Sequence, residues 1–239
     1  MRIFVMDKYT GLCLCLLCAL LIAVPVLWYQ AEPTSASASA VPVCAAETSE
    51  PILALTFNLS GDGSDIPALL ASLSDTQCPA TFFASADWAS MHTEQIHQIS
   101  DAGHTVAPLA DAPPKADAKT WLSSINQAEQ VISDITGIAS GFSRCAEDAP
   151  ASSFAEACQQ SGRIPVAWSV DSLDWRNFSA EQITFRLTDR MEKGAILRFQ
   201  TGTQASNKIL EIVTAIRTAG YTPVSLQTLL PAPVSENFS

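Results

Sequence analysis

Histidine is scarce in this chain: three occur in 239 residues, His92, His97 and His104. That leaves little material for general-base catalysis or for imidazole ligation of a metal. His92 and His97 are five positions apart, about 140° around a helix, so they cannot share one ion. No histidine follows Gly137-Ile-Ala-Ser-Gly141, which excludes a Ser-His hydrolase built on a nucleophile elbow. Basic residues are short as well. Thirteen Lys+Arg against 24 Asp+Glu give a net charge of −11, a surface that repels phosphate backbones and excludes nucleic acid as a partner. Seven cysteines are too few for a disulfide scaffold of this length, and neither paired CxxC elements nor an HExxH helix marks a zinc site. Apolar residues, by contrast, make up 48% of the chain, which suits a folded core and excludes a disordered chain. The length fits one domain with a tail, at ~100–200 residues per domain.

Residues 11–29, GLCLCLLCALLIAVPVLWY, carry no charge, and ~18–20 apolar residues cross a ~30 Å hydrocarbon core as one helix. Arg2 and Lys8 precede the run and Glu32 is the first charge after it. Residues 1–10 are therefore expected in the cytoplasm and the remainder outside. Trp28 and Tyr29 sit where an interfacial aromatic anchor belongs. Ala38-Ser39-Ala40 fits a small-residue cleavage pattern but lies beyond the run, and the run exceeds a signal-peptide core of ~7–15 residues. The expectation is a single-pass anchor in the cell membrane with an extracytoplasmic C-terminal domain, secreted if the segment is cleaved. Residues 30–50 are rich in Ser, Ala, Pro and Thr and read as a flexible linker. Cys44, Cys78, Cys145 and Cys158 fall on the exported side, where disulfides are permitted. Cys145–Cys158 is the favoured pair, because a short helix between them brings its ends near each other; four free or buried thiols are the alternative.

From Pro51 onward, apolar runs alternate with helix-face patterns. Strands are expected at 52–57, 80–84, 104–107, 165–170, 195–199 and 222–225, and helices at 66–73, 92–102, 121–135, 152–161, 180–192 and 207–218. Gly103, Gly137, Gly162, Gly194 and Gly220 close five of those helices. Such alternation with short connections makes parallel βαβ units, and six or seven of them suggest a (β/α) barrel. Chemistry on a barrel sits on the loops that follow the strands, here beginning at Asn58, Pro108, Ser143, Asp171 and Gln200.

Several short motifs punctuate this frame: Leu-Thr-Phe at 55–57, Ala-Thr-Phe-Phe at 80–83, Asp-Ala-Gly-His at 101–104, Trp-Ser-Val-Asp-Ser-Leu-Asp-Trp at 168–175, Gly-Ala-Ile-Leu at 194–197 and Ala-Gly-Tyr-Thr-Pro-Val at 219–224. In this order and spacing they resemble the polysaccharide deacetylase family, the NodB-homology domain, over residues 51–230. The Leu-Thr-Phe-Asn-Leu-Ser run with a Gly/Asp loop behind it is most similar to the spore-associated branch. The resemblance implies an α/β fold, a distorted (β/α) barrel of the polysaccharide deacetylase type. Here it would be preceded by one N-terminal transmembrane helix and followed by a tail at 231–239. It also implies removal of acetyl groups from N-acetylated sugars of peptidoglycan, chitin or related polymers. In that chemistry one Asp and two His hold a zinc-like metal, a second Asp is the base and a late His the acid.

Carried across residue by residue, the family pattern is broken. The base and ligating Asp positions hold Asn58 and Leu59, the metal His positions hold Leu109 and Pro113, and the late His is Gln200. Of the family's Arg motif only Arg144 remains, whereas Asp171 and Asp174-Trp175 are intact. Asn accepts no proton usefully and Leu ligates nothing. Losing one proton-transfer group costs ~10²–10⁴ in rate, and here the set is replaced. No residue is expected to be catalytic, no metal ligand is expected, and no cofactor is expected. Asn58, Arg144, Asp171, Asp174, Trp175 and Gln200 remain as pocket candidates. Asp171 and Asp174 have the composition of a glycosidase pair, but the favoured role is that Asp174 and Trp175 brace the neighbouring loop through Arg144. His104 is expected to be structural. The expected function is that of a polysaccharide deacetylase family protein in carbohydrate and peptidoglycan metabolism at the cell envelope, catalytically inactive and binding cell-wall glycan or an envelope protein. The alternative is a metal-dependent hydrolase of N-acetyl amide bonds, using zinc or another divalent ion on relocated ligands among Asp62, Asp65, Asp111 and Asp174.

Overall fold

A computed structural model describes residues 41–113, 115–146, 152–176, 178–203 and 206–231. The expected membrane span at 11–29 and the tail after residue 231 lie outside the described residues. Among those described, no helix is long and apolar enough to cross a membrane.

Strand β1 (Ile52–Asn58) is the branch point of the sheet, pairing with three other strands. On one side it pairs with β2 (Ala80–Ala84), which leads to β3 (Thr105–Ala110), β4 (Phe142–Cys145) and β5 (Ile164–Pro165). On the other side it pairs with β7 (Ile196–Gln200), beyond which lies β6 (Val170–Asp171). Strand β8 (Thr222–Pro223) joins β1 at Ile52 and Leu53. Every one of these pairings is parallel.

The two-residue repeat of the strands sorts their side chains. Leu53, Leu55 and Phe57 of β1, with Phe82, Leu197 and Phe199, pack outward against the helices, and Phe57 stacks between Phe82 and Phe199 at 5.0 and 5.2 Å. The alternate positions, Ala54, Phe83, Ala107, Leu109, Phe142 and Ile196, fill the inside of the curl. Helices α1 (Ile66–Asp75), α2 (Ala86–Met91), α3 (Thr93–Asp101), α4 (Ala118–Thr136), α5 (Ser152–Gln160), α6 (Ala180–Arg190) and α7 (Ile209–Thr218) follow in chain order, and the short α8 (Leu226–Leu229) buries Leu226 and Leu229 in the inner cluster.

The distorted (β/α) barrel expected takes the form of a curled half-barrel of parallel strands, whose path ends at β5 and β6. The reason lies in the stretch 165–170, expected as one strand. Ile164 and Pro165 pair with β4, whereas Val170 and Asp171 pair with β7. One segment serving two sheet edges cannot run as a single ladder, so the curl opens there. Residues of the expected linker enter this seam. Val43 donates its N–H to the Pro165 carbonyl at 2.8 Å and accepts from Ala167 N–H at 2.9 Å, and Ala46 N–H reaches the Gly194 carbonyl at 2.8 Å. Residues 43–46 are thus stitched between the β5 end and the turn before β7.

Two other expectations shift. The helix placed at 92–102 is preceded by α2, whose N-cap Ser85 accepts from Trp88 N–H, and the chain bends at His92 before α3 starts. Strand β3 runs through Pro108 to Ala110, which places Leu109 in the sheet instead of a loop. No disulfide links Cys44, Cys78, Cys145 or Cys158, and the favoured pair, Cys145 and Cys158, shares one apolar cluster without a bond between them.

Candidate functional site

The same alternation that fills the curl brings Asn58, Leu109, Arg144, Arg198 and Gln200 to its inner face at the C-terminal strand ends. There an open cavity of about 500 Å³ is lined by Asn58, Leu59, Leu109, Trp175, Arg198 and Gln200 among others. Trp175 in its wall is 47% exposed, with the Arg176 guanidinium 4.7 Å from its ring centroid. A second cavity, about 310 Å³, opens at the opposite strand ends beside His104 and Ser140, with no charged residue in its wall.

Arg144 lies behind the first cavity with no exposed surface. Its Nη1 donates to Asn58 Oδ1 at 3.0 Å and its Nη2 to the Ala167 carbonyl at 3.0 Å. The guanidinium sits 4.1 Å over the Phe83 ring and 5.4 Å from that of Trp168. Burial pulls its pKa well below the usual arginine value; Arg198 adds to this and Asp171 opposes it. Arg198 pairs with Asp171 at 2.7 Å, and its guanidinium lies 4.0 Å from the centroid of the same Trp168 ring. Asp171 is held in turn by Leu173 N–H, which it accepts at 3.0 Å.

Asp174 braces a loop, though not through Arg144. Its Oδ2 accepts from Gln200 N–H at 3.0 Å and from the Thr203 hydroxyl at 3.1 Å, which fixes the exit of β7. Burial raises its pKa above the ordinary carboxylate value against these hydrogen bonds. The loops after β1 and β7 are clamped to each other. Ser60 N–H donates to Thr201 Oγ1 at 2.9 Å, the Ser60 hydroxyl to the Thr201 carbonyl at 2.6 Å, and Gly202 N–H to Asp65 Oδ2 at 2.7 Å. Gly61 and Gly202 meet backbone to backbone, both with positive φ, so a Cβ on either would crowd the other at 3.3–3.4 Å.

The residues at the positions that the resemblance assigns to a metal do not fit one. Leu59 and Leu109 offer no donor atom, Pro113 is exposed and outside the cavity wall, and the acceptor oxygen of Asn58 is taken by Arg144. The relocated candidates are dispersed. Asp62 closes its own turn by accepting from the N–H and hydroxyl of Ser64, Asp65 holds Gly202, and Asp111 is exposed beside Ser124. Among the described residues, no three His, Cys, Asp or Glu side chains converge on one point. His104 accepts Ala80 N–H on Nδ1 at 3.3 Å and packs on Phe82, far along the strands from the mouth.

Reading the residues alone missed Arg198, although strand alternation places it on the same face as Gln200 two positions on. It also missed the Arg144–Asn58 bond, which joins residues 86 positions apart.

The family model for polysaccharide deacetylases matches residues 45–162. The chain carries a polysaccharide deacetylase family domain. A peptidoglycan-N-acetylglucosamine deacetylase from Bacillus cereus is 24% identical to this chain over 148 residues, which are 61% of the chain and 54% of that protein. The chain thus spans about half the length of that relative. A chitooligosaccharide deacetylase from Rhizobium leguminosarum is 26% identical over 65% of the chain and 70% of its own length. The half-barrel matches the fold of a CE4 family pseudoenzyme from Bacillus anthracis with a TM-score of 0.76 at 16% identity, over 80% of this chain and 69% of the other. A mutant of that pseudoenzyme with restored enzymatic activity matches at 0.76 over 71% of its chain.

Proposed function

We propose that this family domain binds N-acetylated cell-wall glycan at the mouth of the half-barrel and does not deacetylate it. Asn58 carries the reading. At the position of the family's base it is an amide whose only acceptor oxygen is engaged by a buried arginine, so no group there can take a proton from water. The absence of donor atoms at Leu59 and Leu109 points the same way. Trp175, half exposed in the cavity wall, supports it as an aromatic on which a sugar ring would stack, on the side away from the Arg176 guanidinium. With residues 11–29 as an anchor, the domain would act outside the cell membrane.

The test uses the full chain. Acetate release from N-acetylated peptidoglycan fragments and chitooligosaccharides is expected to stay at the no-protein level, with or without added zinc or cobalt. Retention on insoluble peptidoglycan is expected, and Trp175→Ala should weaken it about tenfold while leaving the fold intact, as a stacking contact of about 1–1.5 kcal/mol requires. Metal-dependent acetate release abolished by a chelator would overturn the inactive reading in favour of a hydrolase with relocated ligands.

A further inference from the structure

The second cavity, at the starts of the strands, is formed by the last turns of α3 and α4, the first residues of β3, β4 and β5, and α8. At about 310 Å³ it falls at the small end of the ~300–1,000 Å³ of small-molecule sites, which suits one ligand unit and not a polymer groove. Five of its polar side chains have unused hydrogen-bonding capacity. His104 Nδ1 accepts Ala80 N–H, so the ring proton sits on Nε2. Burial pulls the His104 pKa below the ordinary histidine value, which keeps the ring neutral at pH 7. Among the described residues nothing accepts the Nε2 proton. Ser140 Oγ accepts Phe142 N–H at 3.2 Å, which leaves its own proton to donate. The side chains of Ser100, Thr105 and Gln227 make no hydrogen bond with the described residues.

The wall between 136 and 142 is held in place. Thr136 Oγ1 donates to the Ile132 carbonyl at 2.9 Å and accepts Ile138 N–H at 3.1 Å. Ser140 N–H donates to Glu129 Oε1 at 3.0 Å, and the other Glu129 oxygen pairs with Arg163 at 3.4 Å. A pair this little exposed adds little net stability. What it supplies is position, since it ties the wall at Ser140 to the wall at Ile164. Among the described residues that wall holds no charged side chain, so a charged ligand would lose hydration without compensation. A sugar carries hydroxyls that both donate and accept, on a ring with apolar C–H faces. Hydroxyls, an amide and an imidazole answer the first, and Phe142 with Ile138, 63% exposed, answers the second. We propose that this cavity binds one uncharged sugar unit, as a site separate from the mouth and independent of what the mouth holds.

With three histidines in the chain, isotope labelling of their ring nitrogens gives each imidazole its own NMR signal. Glucose titrated into the full chain is expected to shift the His104 signal and to leave those of His92 and His97 in place. Glucuronate and glucosamine, one anionic and one cationic, are expected to bind about tenfold weaker than glucose. Ile138→Asp and Gln227→Ala change exposed residues, which a fold tolerates, and each should weaken glucose binding about tenfold. The His104 shift should persist in Trp175→Ala, whose retention on peptidoglycan decides separately on the mouth. Absence of a shift at His104, or its loss in Trp175→Ala, would overturn the site. Unchanged glucose binding in both Ile138→Asp and Gln227→Ala would overturn it as well. Charged sugars binding as tightly as glucose would overturn the assignment to an uncharged one.

Discussion

At Gly194 the chain turns with φ near +79°, and a Cβ there would run into the Ala46 carbonyl oxygen. A side chain is therefore opposed twice, by the left-handed backbone and by the stitched segment. Gly194→Ala is expected to destabilise the fold by at least about 2 kcal/mol, from the left-handed penalty together with the lost Ala46–Gly194 hydrogen bond. Urea unfolding followed by tryptophan fluorescence measures it. Asp174 makes a different case, because its charge is a burden while its oxygens are needed. Asp174→Ala leaves Gln200 N–H without its acceptor and should cost about 1–3 kcal/mol. Asp174→Asn keeps an acceptor and sheds the charge, so it should match or exceed wild type at pH 7. The sign follows from the raised pKa: the folded state holds the proton more tightly, so wild type loses stability as pH climbs from the ordinary carboxylate value through the raised one. The Asn variant lacks that slope, and unfolding curves between pH 3 and 8 compare the two.

Among the elements, those with strong local patterns were legible from residues alone. Strands β1, β2 and β7 are buried runs of Leu, Ile and Phe, and α4 ends at Gly137 in a left-handed cap. Legibility failed where distant contacts decide. Residues 43–46 have the composition of a linker, and only the gap between β5 and β7 turns them into structure. Pro108 reads as a strand breaker, yet the sheet keeps it, and Ser143 donates its hydroxyl to the Pro108 carbonyl at 3.3 Å. At the site, the substituted positions were readable one by one, whereas the Asn58–Arg144–Trp168–Arg198 arrangement needs four strands or loops brought together. The stitched segment carries its own prediction. In hydrogen exchange, the amides of Val43, Ala46 and Ala167 should be protected far above those of exposed residues such as Glu47, and Gly194→Ala should release Ala46 first.

Among the described residues, the packing of the whole molecule keeps three of four thiols out of reach. Burial pushes the Cys78 and Cys158 thiols up to about 12, and Cys145 is buried with them, whereas Cys44 is exposed. Iodoacetamide at pH 8 should alkylate Cys44 alone among these four in the folded protein, and all four after denaturation. Peptide mass mapping reads the result; modification of buried Cys158 in the native state would contradict the packing around α5. The seam at residues 43–46 also has a mechanical meaning. Any pull arriving from the N-terminal side of the chain meets three backbone hydrogen bonds at Val43 and Ala46 before it reaches the sheet. Opening this seam would release a few residues of chain on that side before the sheet itself bears the load, so the mouth of the half-barrel keeps its shape.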